Sequence, residues 1–291
     1  KALPQAGSFA AQLLMDQADA TYEIVERRPE AIGLYASLAA AHPADPLAPQ
    51  ALYMAGYVAL EAGRYAEAKN HADRFLAAHA GHELAADVGH VAAESRLLLG
   101  EHVEAETRFA ELLKKYPEHP DAPLWTIRRA LAAQLQKKHS EVASSLAAAV
   151  PQFKEPAMLA EAQYLIGSSQ IELQQYEPAV RALEASLAAD AKWRQAAETR
   201  LALASAYRQL NNLAKAREQI TRLVSESPES PLLDRAHYRL GEYSYLAGDY
   251  AAAMAAYRQI VDRWPQSPLV PHAMHELGIA QLNQKDAAGA M

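Results

Sequence analysis

The sequence predicts an all-α solenoid of helix-turn-helix repeats, and three observations carry that prediction. Alanine, the strongest helix former, makes up roughly a fifth of the 291 residues, whereas glycine and phenylalanine number only 12 and 4. Small residues recur in one phase with a step of 37 from end to end, without insertion or deletion. Prolines recur in register with them.

Composition excludes several classes. Without cysteine there is neither a disulfide scaffold nor a thiolate zinc site. The 28 basic and 35 acidic side chains, net −7, are mixed along both halves, so no basic footprint for nucleic acid exists. The longest stretch free of charge, Pro46 to Leu60, falls short of the ~20 apolar residues a spanning helix needs, so no direct membrane insertion is expected.

The phase defines each unit. Gly56, Ala93, Ala130, Gly167, Ala204, Gly241 and Gly278 form one series, with Asp19 as its non-small first member. Twelve residues on, Ala31, Ala68, Ala105, Val142, Ala179, Ala216, Ala253 and Ala290 form a second. Four residues further, Tyr35, Ala72, Phe109, Leu146, Leu183, Ile220 and Tyr257 are mostly large and apolar. Small residues let two helices approach and the large ones fill the space beside them. Gly56, Gly167, Gly241 and Gly278 are therefore expected at close helix contacts.

Residues 1–11 read as a leader and 12–291 as the array, with units starting near Gln12, Pro49, Ala86, Pro123, Ala160, Ala197, Asp234 and Pro271. Seven are complete and the eighth is partial, so the array is expected to continue past Met291. In the clearest unit, Asp234 to Ala247 carries an apolar face of period 3.6, Gly248-Asp249 breaks it, and Tyr250 to Trp264 forms the second helix. Gly63 and Gly100 punctuate in the same way. Of each proline group (Pro43, Pro46, Pro49; Pro117, Pro120, Pro123; Pro265, Pro268, Pro271) the first stops a helix and the last opens the next. The fourth unit is irregular: Arg129 and Val142 replace expected residue types, and Pro151 and Pro156 bracket its exit.

Leu240-Gly241, Ala253, Tyr257 and Pro265 resemble the tetratricopeptide repeat (TPR) pattern of Leu-Gly, Ala, aromatic and Pro, and Leu203-Ala204, Tyr207, Ala216, Ile220 and Pro228 resemble it too. The resemblance covers residues 12 to 291 and implies a right-handed superhelix that serves as a non-enzymatic protein-interaction scaffold. Spacers such as His42-Pro43-Ala44-Asp45-Pro46 look like those of bacterial cell-envelope TPR proteins, including the Tol-Pal-associated periplasmic coordinator and the outer-membrane-assembly lipoprotein. That similarity favours a periplasmic or envelope location over the cytoplasm.

The resemblance also places the first helix of each unit on the binding face, which puts Tyr53, Tyr57, His90, Glu94, Tyr164, Tyr238, Glu242 and Tyr245 in a groove for a peptide or protein segment, with Ile127, Leu131 and Leu201 beside them. Tyrosines give large contact area at low entropy cost. The Lys/Asn carboxylate clamp of co-chaperone TPR proteins is missing from these positions. Since no like charges cluster among the groove residues, binding is expected to depend weakly on salt. The alternative is a homo-oligomeric assembly module.

Catalytic or cofactor chemistry finds no foothold: no phosphate loop, nucleophile elbow or paired carboxylates appear. His79 and His82, with His71, Glu83 and His90 nearby, and His272 with His275 and Glu276, have a spacing that could present imidazoles to a metal, but solvated helix ends are the expectation and no metal or cofactor is assigned.

Overall fold

In a computed structural model of the chain the backbone of residues 3–289 and the side chains of 9–284 are described. Among the described residues there are fifteen α-helices. The first helices of the repeats are α1 (Leu3–Tyr22), α3 (Ala48–Glu61), α5 (Ala85–Leu98), α7 (Ala122–Leu135), α9 (Pro156–Glu172), α11 (Ala196–Gln209), α13 (Leu233–Leu246) and α15 (Val270–Gly289). The second helices are α2 (Arg28–Ala41), α4 (Tyr65–Ala78), α6 (His102–Lys115), α8 (His139–Ala149), α10 (Tyr176–Ala189), α12 (Leu213–Glu226) and α14 (Tyr250–Arg263). Most begin within a residue of the expected position. Two first helices differ: α1 begins nine residues ahead of Gln12, and α9 begins at Pro156, after a 3-10 turn over Val150–Gln152 that shortens α8.

The chain divides into two compact units, residues 1–138 and 139–291, and the division falls inside the irregular fourth repeat. Each has its own apolar core, one around Tyr35, Phe75 and Phe109, the other around Leu183, Ile220 and Tyr257.

The series found in the sequence is the series of helix contacts. Ala31, Ala68, Ala105, Val142, Ala179, Ala216 and Ala253 are all fully buried, while Ala290 lies outside the described residues. An ideal Cβ on Gly241 would stand 2.5 Å from Cε1 of Tyr257, and one on Gly167 2.6 Å from Cγ of Leu183, so both glycines are demanded by a close approach. At the front, Asp19 meets Tyr35 differently, accepting its hydroxyl at 2.6 Å. Gly56 has only ordinary neighbours at 3.5 Å or beyond. Gly278 departs from expectation, because nothing lies within 4 Å of its Cβ position. The reason is that α15 runs unbroken to Gly289, and no second helix lies against it at this place among the described residues. At Gly89, which the series does not contain, an ideal Cβ would stand 2.6 Å from Cδ2 of Leu112 in α6.

Turns inside the repeats form another 37-step series. Gly63, Gly100, Lys137, Gln174, Asn211 and Gly248 all have positive φ, between 58° and 81°. The following amide reaches back five residues, as from Arg64 to Ala59 at 2.8 Å and from Asp249 to Ser244 at 2.9 Å, the Schellman closure of a helix. Between repeats, Asp45, His82, His119, Ser230 and Ser267 each accept the amide two residues on through the side chain, at 2.9–3.2 Å. The prolines lie around these caps, and Pro49 and Pro123 open α3 and α7.

Two predictions follow from this packing. Gly241→Ala should cost ~1–3 kcal/mol by overpacking against Tyr257, whereas Gly278→Ala, with open space, should gain up to about 1 kcal/mol in helix propensity. Urea titration followed by circular dichroism checks this, and equal effects would refute the register. Gln174→Gly should raise the midpoint modestly by relieving a left-handed residue, and Gly248→Ala should lower stability by ~1 kcal/mol.

Candidate functional site

Within each unit the repeat turns one row of side chains on the first helices in a common direction, so the candidate surface is built from α3, α5 and α7 in one unit and, separately, from α9, α11 and α13 in the other. All eight expected residues are partly buried. Each meets a neighbour.

In the first unit, the rings of Tyr53 and Tyr57 lie 6.0 Å apart. Tyr57 donates its hydroxyl to Oε1 of Glu61 at 3.1 Å, and Tyr22 donates to Oε2 of the same carboxylate at 3.0 Å. Burial pushes the Tyr53 hydroxyl up to about 12, and the Asp87 carboxylate adds to this. His90 turns its ring against Phe109 at 6.2 Å, and Nδ1 finds no hydrogen-bond partner among the described residues. Burial holds this imidazole down to about 4, against an opposing pull from Asp121. Glu94 pairs with Arg128 of α7 at 3.5 Å. Ile127 is fully buried and belongs to the core, not to the lining.

In the second unit, a groove of about 550 Å³ opens between α9, α11 and α13. It brings together three expected residues: Tyr164, Leu201 and Tyr238. Tyr164 rests on Trp193 at 5.5 Å and Tyr238 meets Tyr257 edge-on at 5.8 Å, so both rings are braced from behind. The groove also holds Glu172, Glu198, Arg235 and Arg239, which sequence reasoning passed over. A signal existed, since Glu198 and Arg235 sit three residues before Leu201 and Tyr238 in the same phase. Glu242 lies outside this lining and binds Arg239 at 2.7 Å. Tyr245 also lies outside it. Its ring packs on Tyr250 at 5.4 Å and its hydroxyl accepts Asn283 of α15 at 2.6 Å.

His79 and His82 both pack against the Phe75 ring, at 5.4 and 5.6 Å. Because Nδ1 of His82 is occupied by the amide of Leu84, this pair serves the spacer turn. Among the described residues no group of three or more His, Asp or Glu is placed to hold a metal ion, and no helix is long and apolar enough to cross a membrane.

A tetratricopeptide repeat profile matches residues 25–88, 164–231 and 233–268, more than half of the chain, and a second tetratricopeptide repeat profile matches 92–119. The chain belongs to the tetratricopeptide repeat family. No curated protein matches it. Among solved structures, a TPR protein from Parabacteroides merdae superposes with a TM-score of 0.63 at 14% identity, covering 93% of this chain and 98% of that one. PilF of Pseudomonas aeruginosa gives 0.61 at 16% identity over 80% and 96% of the two chains. PilW, a type IV pilus biogenesis factor, gives 0.61 at 17% over 80% and 98%. These likenesses establish the TPR fold.

The buried imidazoles of this TPR chain make its stability depend on pH. His90 is held near 4 in the folded chain against an ordinary value of 6.5, so the unfolded chain binds more protons between those values. Its contribution is whole above pH 6.5, declines as pH falls and is exhausted near pH 4. About 2 kcal/mol should be lost at pH 5 from His90 alone, with His71 and His237 shifted in the same direction by burial. His90→Gln should flatten the change in urea midpoint between pH 7 and pH 5, and an unaltered slope would count against a buried neutral imidazole.

Proposed function

We propose that this TPR chain is a non-enzymatic interaction scaffold that holds a segment of a partner protein on the faces of its first helices. TPR arrays are generally protein-interaction scaffolds. The observation that carries the reading here is the groove between α9, α11 and α13, where braced rings of Tyr164 and Tyr238 flank Leu201 and charged groups of both signs stand around them. Such a mixture suits a segment with apolar anchors and polar flanks. On the spacer resemblance we assign the scaffold to the bacterial cell envelope.

A peptide library selected on the immobilised chain tests the groove. Selected peptides should lose at least ~10-fold in affinity on Tyr238→Ala and on Leu201→Glu, as aromatic and apolar anchors do, with helicity unchanged. Peptides that bind both variants as well as wild type would move the working surface to the second helices. Self-assembly is favoured by one observation, the outer face of α15, where Met274 and Leu282 are 58% and 65% exposed on either side of Gly278. Light scattering at two concentrations separates the two readings, because a strict monomer rules out assembly.

A further inference from the structure

On the first unit, the rows of first-helix side chains are aromatic and acidic, and one cation, Arg28 of α2, stands at their edge beside Tyr22 and Glu61. The rows step by 37 from Leu13, Asp16, Ala20 and Ile24, and up to Leu135 they contain Asp16, Glu61, Asp87 and Glu94 but no lysine or arginine. Glu94 is matched by Arg128, and Asp87 has His119 at 3.8 Å. Glu61 has no ion-pair partner among the described residues; the two tyrosine hydroxyls it accepts occupy about half of a carboxylate's roughly four acceptor sites. Tyr22 and Tyr57 stand around it, and the Tyr53 ring lies beside Tyr57. The Tyr22 ring already carries a cation of the chain, the Arg28 guanidinium at 4.9 Å, which leaves Tyr57 and Tyr53 as the rings open to a further one.

We propose that this tyrosine–carboxylate face binds a basic segment of a partner polypeptide, one that presents lysine or arginine side chains. The aliphatic stem would lie along Tyr53 and Tyr57 while the cationic head meets Glu61, combining cation–π attraction with an ion pair. An acidic segment is repelled there. The groove of the second unit lacks this preference, because Arg235 and Arg239 stand opposite Glu172 and Glu198. The inference rests on the reading that first-helix faces are the working surfaces, and adds the chemistry of the occupant.

Fluorescence anisotropy of the whole chain with labelled peptides of alternating Lys-Ala, Arg-Ala and Glu-Ala sequence provides the test. Both basic peptides should bind and the acidic one should not. Raising ionic strength from about 0.05 M to about 0.5 M should weaken binding to this face by ~10-fold or more, in place of the weak dependence expected from the groove residues alone, because Asp16, Glu61 and Asp87 join Glu94 in its rows. Glu61→Gln and Tyr57→Ala should each weaken it ~5- to 10-fold, whereas Tyr57→Phe, which keeps the ring, should retain most of it. Glu177→Gln removes the same charge from the second helix α10 and should change nothing. Equal binding of the acidic peptide, wild-type affinity in Glu61→Gln, or spermine bound as tightly as the peptides would overturn the proposal. If the basic peptides fail while library-selected peptides remain sensitive to Tyr238→Ala, only the basic preference falls. If those peptides also ignore the first-helix variants, the scaffold reading falls with it.

Discussion

One contact recurs in both units: a small residue on the first helix of a repeat faces a larger one on the second, sixteen residues later, as at Ala93, Gly167, Ala204 and Gly241. The two members compensate in volume. Where the first is glycine, as at Gly241 and Gly167, a Tyr257 ring or a Leu183 side chain fills the notch so closely that no Cβ fits. Where it is alanine, Phe109 shares a core with Ala93 and Ile220 with Ala204. Interiors packed at crystal density transmit a change of one methylene to their neighbours, so helix spacing within a repeat is set here and every other contact adapts to it. Asp19 is the instructive exception: a polar residue occupies the small place because the opposing Tyr35 brings a hydroxyl for it to accept.

The 37-residue period follows from a second device. The three residues beyond a basic 34-residue TPR unit make room for a capped turn, and aspartate, histidine and serine perform the same task in different repeats. This equivalence explains the paired histidines of the second spacer better than metal chemistry does, since His82 occupies the position that Ser230 and Ser267 hold elsewhere. Helix order, and the boundaries of most helices between α2 and α14, were legible because periodicity survives over the chain, whereas the starts of α1 and α9, the short α8 and the unbroken α15 were not. The left-handed turn residues were legible only where glycine marks them. Lys137, Gln174 and Asn211 adopt the same conformation without the marker, held there by the helices on either side.

Legibility was lower at the surface. A repeat phase tells which way a side chain leaves its helix, and on that count none of the eight expected residues is fully buried. It does not tell how deep the side chain sits, which depends on residues one repeat away. Ile127 is swallowed by the core, His90 leans on Phe109, and Tyr245 is claimed by Tyr250 and Asn283. Tyr164, Leu201 and Tyr238 emerge together since the residues behind them, Trp193 and Tyr257 among them, are bulky enough to keep the rings forward.

Burial also decides which of these groups carry charge. It raises the hydroxyls of Tyr22, Tyr53 and Tyr57 and lowers the imidazole of His90, so all four are neutral across the physiological range. The aromatic residues of the first unit therefore supply area and ring quadrupoles but no net charge, and the fixed charges of its rows are the carboxylates Asp16, Glu61, Asp87 and Glu94, with Glu94 offset by Arg128 and Arg28 standing over Tyr22. On the second unit the same rows add Arg235 to their carboxylates, and Arg239 beside them is engaged by Glu242. Similar tyrosine placement in the two halves thus sits in different fields. On the proposed scaffold reading, ring area would set how tightly a segment is held on either face, and the sign of the charge around the rings would set which segment the first face prefers.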